Sequence, residues 1–187
     1  MLIVFFTEDK CGDIFKNISY SIIAAIIIYI FIEYIPFVRK KKIMRILINS
    51  KLIELNEHVR LCKEIAITSF SMESKTYKDC KEYAEAFYKS DLEEKSIFSS
   101  SQTWKEYLES HKNCIANIIS TLLNLHTYFS DKEQKIITAI ATSTFLTNPI
   151  IPQNHNLPNN VIDSYPNNQK EIGESIYKIY ELIKEIR

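Results

Sequence analysis

Between Lys16 and Arg39 the chain runs for 22 residues, NISYSIIAAIIIYIFIEYIPFV, with Glu33 as the one charge among them. No other stretch restricts the fold so strongly. At 1.5 Å rise per residue it spans about 33 Å as a helix, against about 30 Å for the hydrocarbon core of a bilayer. Nine isoleucines fall between Ile18 and Ile35. At about 0.3–0.6 kcal/mol each they outweigh the roughly 2.5–3.5 kcal/mol that an acidic residue costs at mid-membrane. Glu33 lies near one end, where a carboxylate reaches the headgroups more cheaply. Residues 17–38 are therefore expected to cross a membrane. A buried core helix is usually shorter and is not succeeded by a basic cluster. A cleaved signal peptide begins with basic residues and ends at a small-residue site. The opening MLIVFFTEDK has no basic start, and no small-x-small site comes after the apolar block.

The flanks set the orientation. Arg39, Lys40, Lys41, Lys42 and Arg45 crowd the C-terminal side, whereas Lys10 and Lys16 face Glu8, Asp9 and Asp13 on the other. The positive-inside rule then puts residues 39–187 in the cytoplasm and 1–16 outside. The same five cations suit anionic lipid headgroups, each contributing about 1 kcal/mol near the surface. Tyr20 and Tyr34 are placed to anchor at the two interfaces. Pro36 is expected to kink or end the helix. Ser21 and Ala25 form a small-xxx-small pair that lets a second helix approach, and Glu33 is suited to a partner helix or a water-filled gap. The plainer readings are a lipid-facing pair and an interfacial carboxylate.

Beyond Ile43 the pattern is helical. Ile48, Leu52, Leu55, Val59, Cys62 and Ala66 recur at spacings of four and three, one apolar seam. A segment from about Ser74 to Ser90 puts Tyr77, Cys80, Ala84 and Phe87 on one face, and Ser90-Asp91-Leu92-Glu93 reads as a capping box ahead of a Ser-rich connection. Thr103-Trp104-Lys105-Glu106 opens the clearest helix, whose seam is Trp104, Leu108, His111, Ile115, Ile118, Leu122, Leu125 and Phe129. Ser130-Asp131-Lys132-Glu133 caps a shorter one carrying Ile136, Ile137, Ile140 and Phe145. Prolines and asparagines over 148–168 make a loop, suited to a partner or to a linker. A last stripe lies at Ile172, Ile176, Ile179, Ile183 and Ile186. Nothing reads as alternating strand. The fold class is all-α, one N-terminal transmembrane helix followed by a cytoplasmic helical bundle.

Chemistry is sparse. Gly12 and Gly173 are the two glycines, which excludes phosphate-cradling loops that need several close together. Lys+Arg and Asp+Glu balance at 23 each, so direct nucleic-acid binding is not expected. No nucleophile–base, HExxH or GxSxG pattern occurs, and no enzyme activity is expected. The four cysteines include no CxxC and no disulfide is expected. His58 with Cys62, and His111 with Cys114, would supply four tetrahedral zinc ligands if their helices packed side by side. Both doublets also fit ordinary core packing, and no metal or other cofactor is expected.

The stretches GDIFKNISYSIIAAIIIYIFIEYIPFVRKKK (12–42) and WKEYLESHKNCIANIISTLLNLHTYFSDKE (104–133) resemble small single-span bacterial membrane proteins, and through them the transmembrane effectors of antiphage systems, including those of some retrons. The likeness covers about a third of the chain. It implies an inner-membrane effector, held inactive by a protein partner such as a reverse transcriptase with its RNA–DNA product. Released or triggered, it would self-associate and damage the membrane, stopping the infected cell. The competing expectation is a membrane-tethered scaffold whose cytoplasmic helices recruit a partner complex.

Overall fold

In the computed structural model of the chain, the residues described are 2–68, 77, 79–96, 101–151 and 167–186, with side chains described from Gly12 onward and not for 65–68. Among them every regular element is helical. The one strand-like feature is an isolated antiparallel bridge between Lys95 and Thr103. The all-α reading of the sequence is what the fold shows. The chain divides into two compact units, Met1–Ile46 and Leu47–Arg187.

The first unit is built from α1 (Leu2–Tyr29), a π-helical turn (Ile30–Tyr34) and the opening residues of α2 (Ile35–Thr68). One helix among the described residues is long and apolar enough to cross a membrane. It includes this region, and none of its apolar window is buried in the protein. Apolar side chains with no protein to cover them are costly in water and comfortable in hydrocarbon. Pro36 neither ends the helix nor breaks it. A proline has no N–H and its ring collides with the carbonyl four residues back, here Ile32. The backbone answers by widening, so that the Ile35 N–H donates to the carbonyl of Ile30, five residues back.

In the second unit the rest of α2 is joined by α3 (Cys80–Tyr88), α4 (Trp104–Leu123), a 3-10 turn (His126–Tyr128), α5 (Asp131–Ala141), the single turn α6 (Thr144–Thr147) and α7 (Asn168–Ile186). The seams read from the sequence line its core, except that the Trp104 helix ends at Leu123, so Leu125 and Phe129 of its expected seam flank the 3-10 turn beyond it and are half-buried. Ile48, Leu52, Leu55, Val59 and Cys62 of α2 are buried, as are Trp104, Leu108, Ile115, Ile118 and Leu122 of α4 and Ile172, Ile176, Ile179 and Ile183 of α7. Ala66 and the loop positions 152–166 lie outside the described residues.

Local chemistry fixes the helix ends. Thr103 and Glu106 form a reciprocal capping box on α4, and Ser130 and Glu133 form another on α5. Asp79 caps α3 by accepting from the N–H groups of Lys81 and Glu82. Ser90-Asp91-Leu92-Glu93 does not start a helix. The Ser90 hydroxyl turns back to donate to the Phe87 carbonyl, and Asp91 accepts from the Glu93 N–H in a tight turn. The chain then pins itself to the start of α4, where Trp104 N–H donates to the Glu94 carbonyl and Lys105 N–H to that of Leu92. The residues after Ser90 thus make a loop that frames Trp104.

α7 is the keystone of the bundle. Buried Gln169 donates from Nε2 to the carbonyls of Phe87 (2.7 Å) and Ser90 (2.8 Å), closing the C-terminal end of α3. Asn168 accepts from the Ile151 N–H and donates to the Pro149 carbonyl, tying down the chain before 152. Ser175 Oγ accepts from the N–H of Phe145 at α6. Phe145 therefore sits on its own turn after a break at Thr142 and Ser143, and does not continue α5 as the sequence pattern suggests.

Candidate functional site

Three places gather the chemistry: the apolar helix around Glu33, the meeting of α2 with α4, and that of α2 with α7. In the first, Ser21 and Ala25 lie on an exposed face, where with Asn17, Ile18 and Ile22 they line an open groove. Two small side chains one turn apart lower the surface enough for this groove. The hydroxyls are quiet: Ser19 donates to the Phe15 carbonyl and Ser21 to that of Asn17, both at 2.8 Å. Neither adds an unmet donor to this exposed apolar surface.

Glu33 falls inside the π turn, a coincidence that composition and spacing do not reveal. With Pro36 lacking an N–H, at least one carbonyl of the preceding turn has no intrahelical donor. A carboxylate and an unpaired backbone acceptor thus share one stretch of an otherwise apolar helix. π turns recur at functional positions because they store local irregularity. The sequence signal is Pro36 itself, three residues past Glu33. Arg39, Lys40, Lys41, Lys42 and Arg45 are exposed. Tyr20 and Tyr34 are also exposed.

At the second place the structure brings the two histidines named as candidate ligands into direct contact. His58 Nδ1 of α2 and His111 Nδ1 of α4 lie 2.8 Å apart. Their ring centroids are 5.0 Å apart, with planes tilted by 52°. Tyr107 meets His111 edge-on at 4.4 Å, and Trp104 meets Tyr107 edge-on at 5.9 Å. A column of rings therefore runs along α4 and ends on α2. His111 has its pKa lowered, first by burial and then by the charge of His58.

The cysteines of the doublets do not complete a ligand set. Cys62 is fully buried in the core, and burial, followed by its proximity to Cys114, holds its thiol far up in the neutral form. Among the described residues no group of three or more His, Cys, Asp or Glu side chains is arranged to hold a metal ion.

A third cluster joins α2 to α7. Lys63 Nζ sits 3.9 Å from the centre of the Tyr180 ring and 4.8 Å from that of Tyr177. Buried Tyr83 of α3 donates to the Lys63 carbonyl at 3.2 Å. These contacts attach α2 to its neighbours through long side chains and rings. Comparison of the chain with protein-family models, with curated proteins and with solved structures finds no match.

Proposed function

We propose that the chain is a non-enzymatic, membrane-anchored effector of a bacterial antiphage system of the abortive-infection kind. On this reading the span sits in the inner membrane, residues 39–187 lie in the cytoplasm, and a partner complex holds the protein inactive. A reverse transcriptase with its RNA–DNA product is the partner the sequence resemblance suggests. Once released, copies associate through their spans and perturb the membrane.

The observation that supports this reading is the placing of Glu33 within a π turn of a helix whose apolar side chains find no cover in the protein. A simple anchor needs neither a carboxylate nor an interrupted hydrogen-bond ladder in its span. Both features cost free energy in lipid and lose that cost when spans cluster around water. Ser21 and Ala25 offer the close approach that clustering requires. The test is to trigger the protein in bacterial cells while a dye reports membrane potential. Depolarisation is expected, and Glu33→Leu is expected to blunt it. Unchanged potential and growth in triggered cells would count decisively against the effector.

A tethered scaffold is the second reading, and a separate observation favours it. Within the bundle unit Leu47 and Ile53 of α2 and Leu123 of α4 are left 40–56% exposed, apolar side chains that a docked partner would cover. If the chain acts as a scaffold, residues 43–187 keep their function on an unrelated span. An effector loses it.

A further inference from the structure

We propose that His58 and His111 form an acid-sensitive latch between α2 and α4, closed while the pair carries at most one positive charge and opened when it takes up a second. The distance between the rings is the starting point. At 2.8 Å two Nδ1 atoms have room for one proton between them. With both rings neutral, one Nδ1 donates and the other accepts. Adding a proton at Nε2 of the donor ring keeps the bond and makes it charge-assisted. A second charge puts a proton on each Nδ1, removes the acceptor, and sets two imidazolium rings 5.0 Å apart.

The surroundings do not rescue that doubly charged state. On α2, Glu54 is taken by Lys51 at 2.6 Å, and Arg60 pairs with Glu57 at 3.0 Å and with Glu64 at 2.5 Å. The Cys62 thiol is buried and neutral. On α4, Tyr107 presents a ring to His111, Cys114 lies one turn on, and Lys112 adds a cation whose amine donates to the Asn148 carbonyl. Burial and His58 are what act on His111, both against its charge. With one proton between the rings the contact is intact, and a proton on each Nδ1 leaves it no acceptor, so the geometry resists a second charge on the pair.

A histidine whose folded pKa is depressed binds fewer protons folded than unfolded. Its contribution is therefore complete above the unfolded value of about 6.5 and is lost as pH falls below it. α2 is also the helix that leads in from the apolar span, and this contact is one of several that hold it in the bundle.

Amide hydrogen exchange of the full-length protein in lipid nanodiscs, corrected for intrinsic rates, tests the latch. Protection of the peptides around His58 and His111 is expected to fall about tenfold between pH 7.5 and 5.5, roughly the worth of one strong hydrogen bond. His58→Gln keeps an amide donor for His111 and cannot take up charge, so its protection is expected to change less than about twofold. Nitrogen-15 imidazole spectra give an independent reading. The His111 ring is expected to charge below the ordinary range for histidine, and to do so at higher pH in the Gln variant, where the charge of His58 is gone. Acid-independent protection, an equal loss in the Gln variant, or a His111 titration that the Gln substitution leaves unmoved would each overturn the latch.

Discussion

Phe87 of α3 lies so close to Gly173 of α7 that a Cβ on the glycine would stand 2.9 Å from the Phe87 Cβ and 3.1 Å from its Cγ. The obstacle is the root of the side chain and not its mobile end, so a rotamer change does not clear it. Gly173→Ala is expected to gain about 1 kcal/mol of helix propensity and to lose about 2–3 kcal/mol to overpacking. Net destabilisation of about 1–2 kcal/mol should appear as a lower denaturation midpoint. Gly12, with nothing within 4 Å of the position a Cβ would take, is the control. Gly12→Ala should leave the bundle's midpoint where it is.

One turn before Gly173, the buried amide of Gln169 supplies two hydrogen bonds to the end of α3. Gln169→Leu fills similar volume but takes the side-chain donor from the Ser90 carbonyl and one of several donors from that of Phe87. The expected cost is about 1–3 kcal/mol. Gln169→Glu is expected to be worse, because a carboxylate has no N–H to give and is buried beside two acceptors. Urea unfolding of both variants ranks them, and an unaffected Leu variant would show that the amide is dispensable.

These two residues also mark where the sequence is legible and where it is not. Seams such as Ile48-Leu52-Leu55-Val59-Cys62 carry their burial in their spacing, because one helix face is enough to define it. The capping boxes at Thr103 and Ser130 are equally local, four residues long, and both form. Ser90 carries the same local signal and makes no box, because α7 brings Gln169 to the Phe87 and Ser90 carbonyls and the next residues are drawn onto the start of α4. Gln169 and Gly173 depend on what packs against α7, a fact with no trace in nearby residues. The candidate site divides in the same way. Glu33 and the basic cluster stand out by composition alone, and the two histidines stand out as possible ligands. That their ring nitrogens face one another is a matter of how α2 and α4 pack, which periodicity does not encode. The π turn sits between these cases, since Pro36 announces an interruption but not its form.

The capping boxes give a graded prediction. Thr103→Ala and Ser130→Ala each remove the acceptor for an N3 amide, at an expected cost of about 1 kcal/mol. The bridge between Lys95 and Thr103 is carried by the backbone, with Ser96 N–H donating to the Gln102 carbonyl and Trp104 N–H to that of Glu94, so it survives either change. Hydrogen exchange separates the two. Thr103→Ala should raise exchange at Glu106 while Lys105 keeps its bond to the Leu92 carbonyl, and Ser130→Ala should affect the start of α5 alone.

The π turn predicts a phase shift. One residue added to a helical turn rotates everything beyond it by about 100°. Single-cysteine scanning across residues 24–42, read by accessibility to a membrane-impermeant or lipid-dissolved maleimide, should show a 3.6-residue period on both sides of Ile30–Tyr34. The two periods should be out of step by one residue. Pro36→Ala restores the missing N–H and is expected to bring them into register. A single unbroken phase in the unmutated chain would remove the π turn from any account of Glu33.

Cys62 supplies a prediction with a pH sign. Its thiol is fully buried, and burial raises its pKa far above the ordinary 9.0. The folded state then holds the proton through a range in which the unfolded chain gives it up. Stability from this group is complete below about pH 8.5 and falls as pH rises beyond the unfolded value, because the unfolded state alone gains by ionising. The same burial blocks reagents, since the thiolate is the nucleophile and it is not formed in the core. At pH 8 a maleimide is expected to modify the half-buried Cys114 well ahead of Cys62, and Cys62 should react only at the rate of unfolding. Cys62→Ser keeps the size but puts a hydroxyl among Leu55, Val59 and Tyr83 of one core cluster. It should destabilise by about 1–3 kcal/mol and abolish the loss of stability at alkaline pH that belongs to this thiol. Prompt labelling of Cys62 in the folded protein would mean that the α2 seam opens far more readily than its burial indicates.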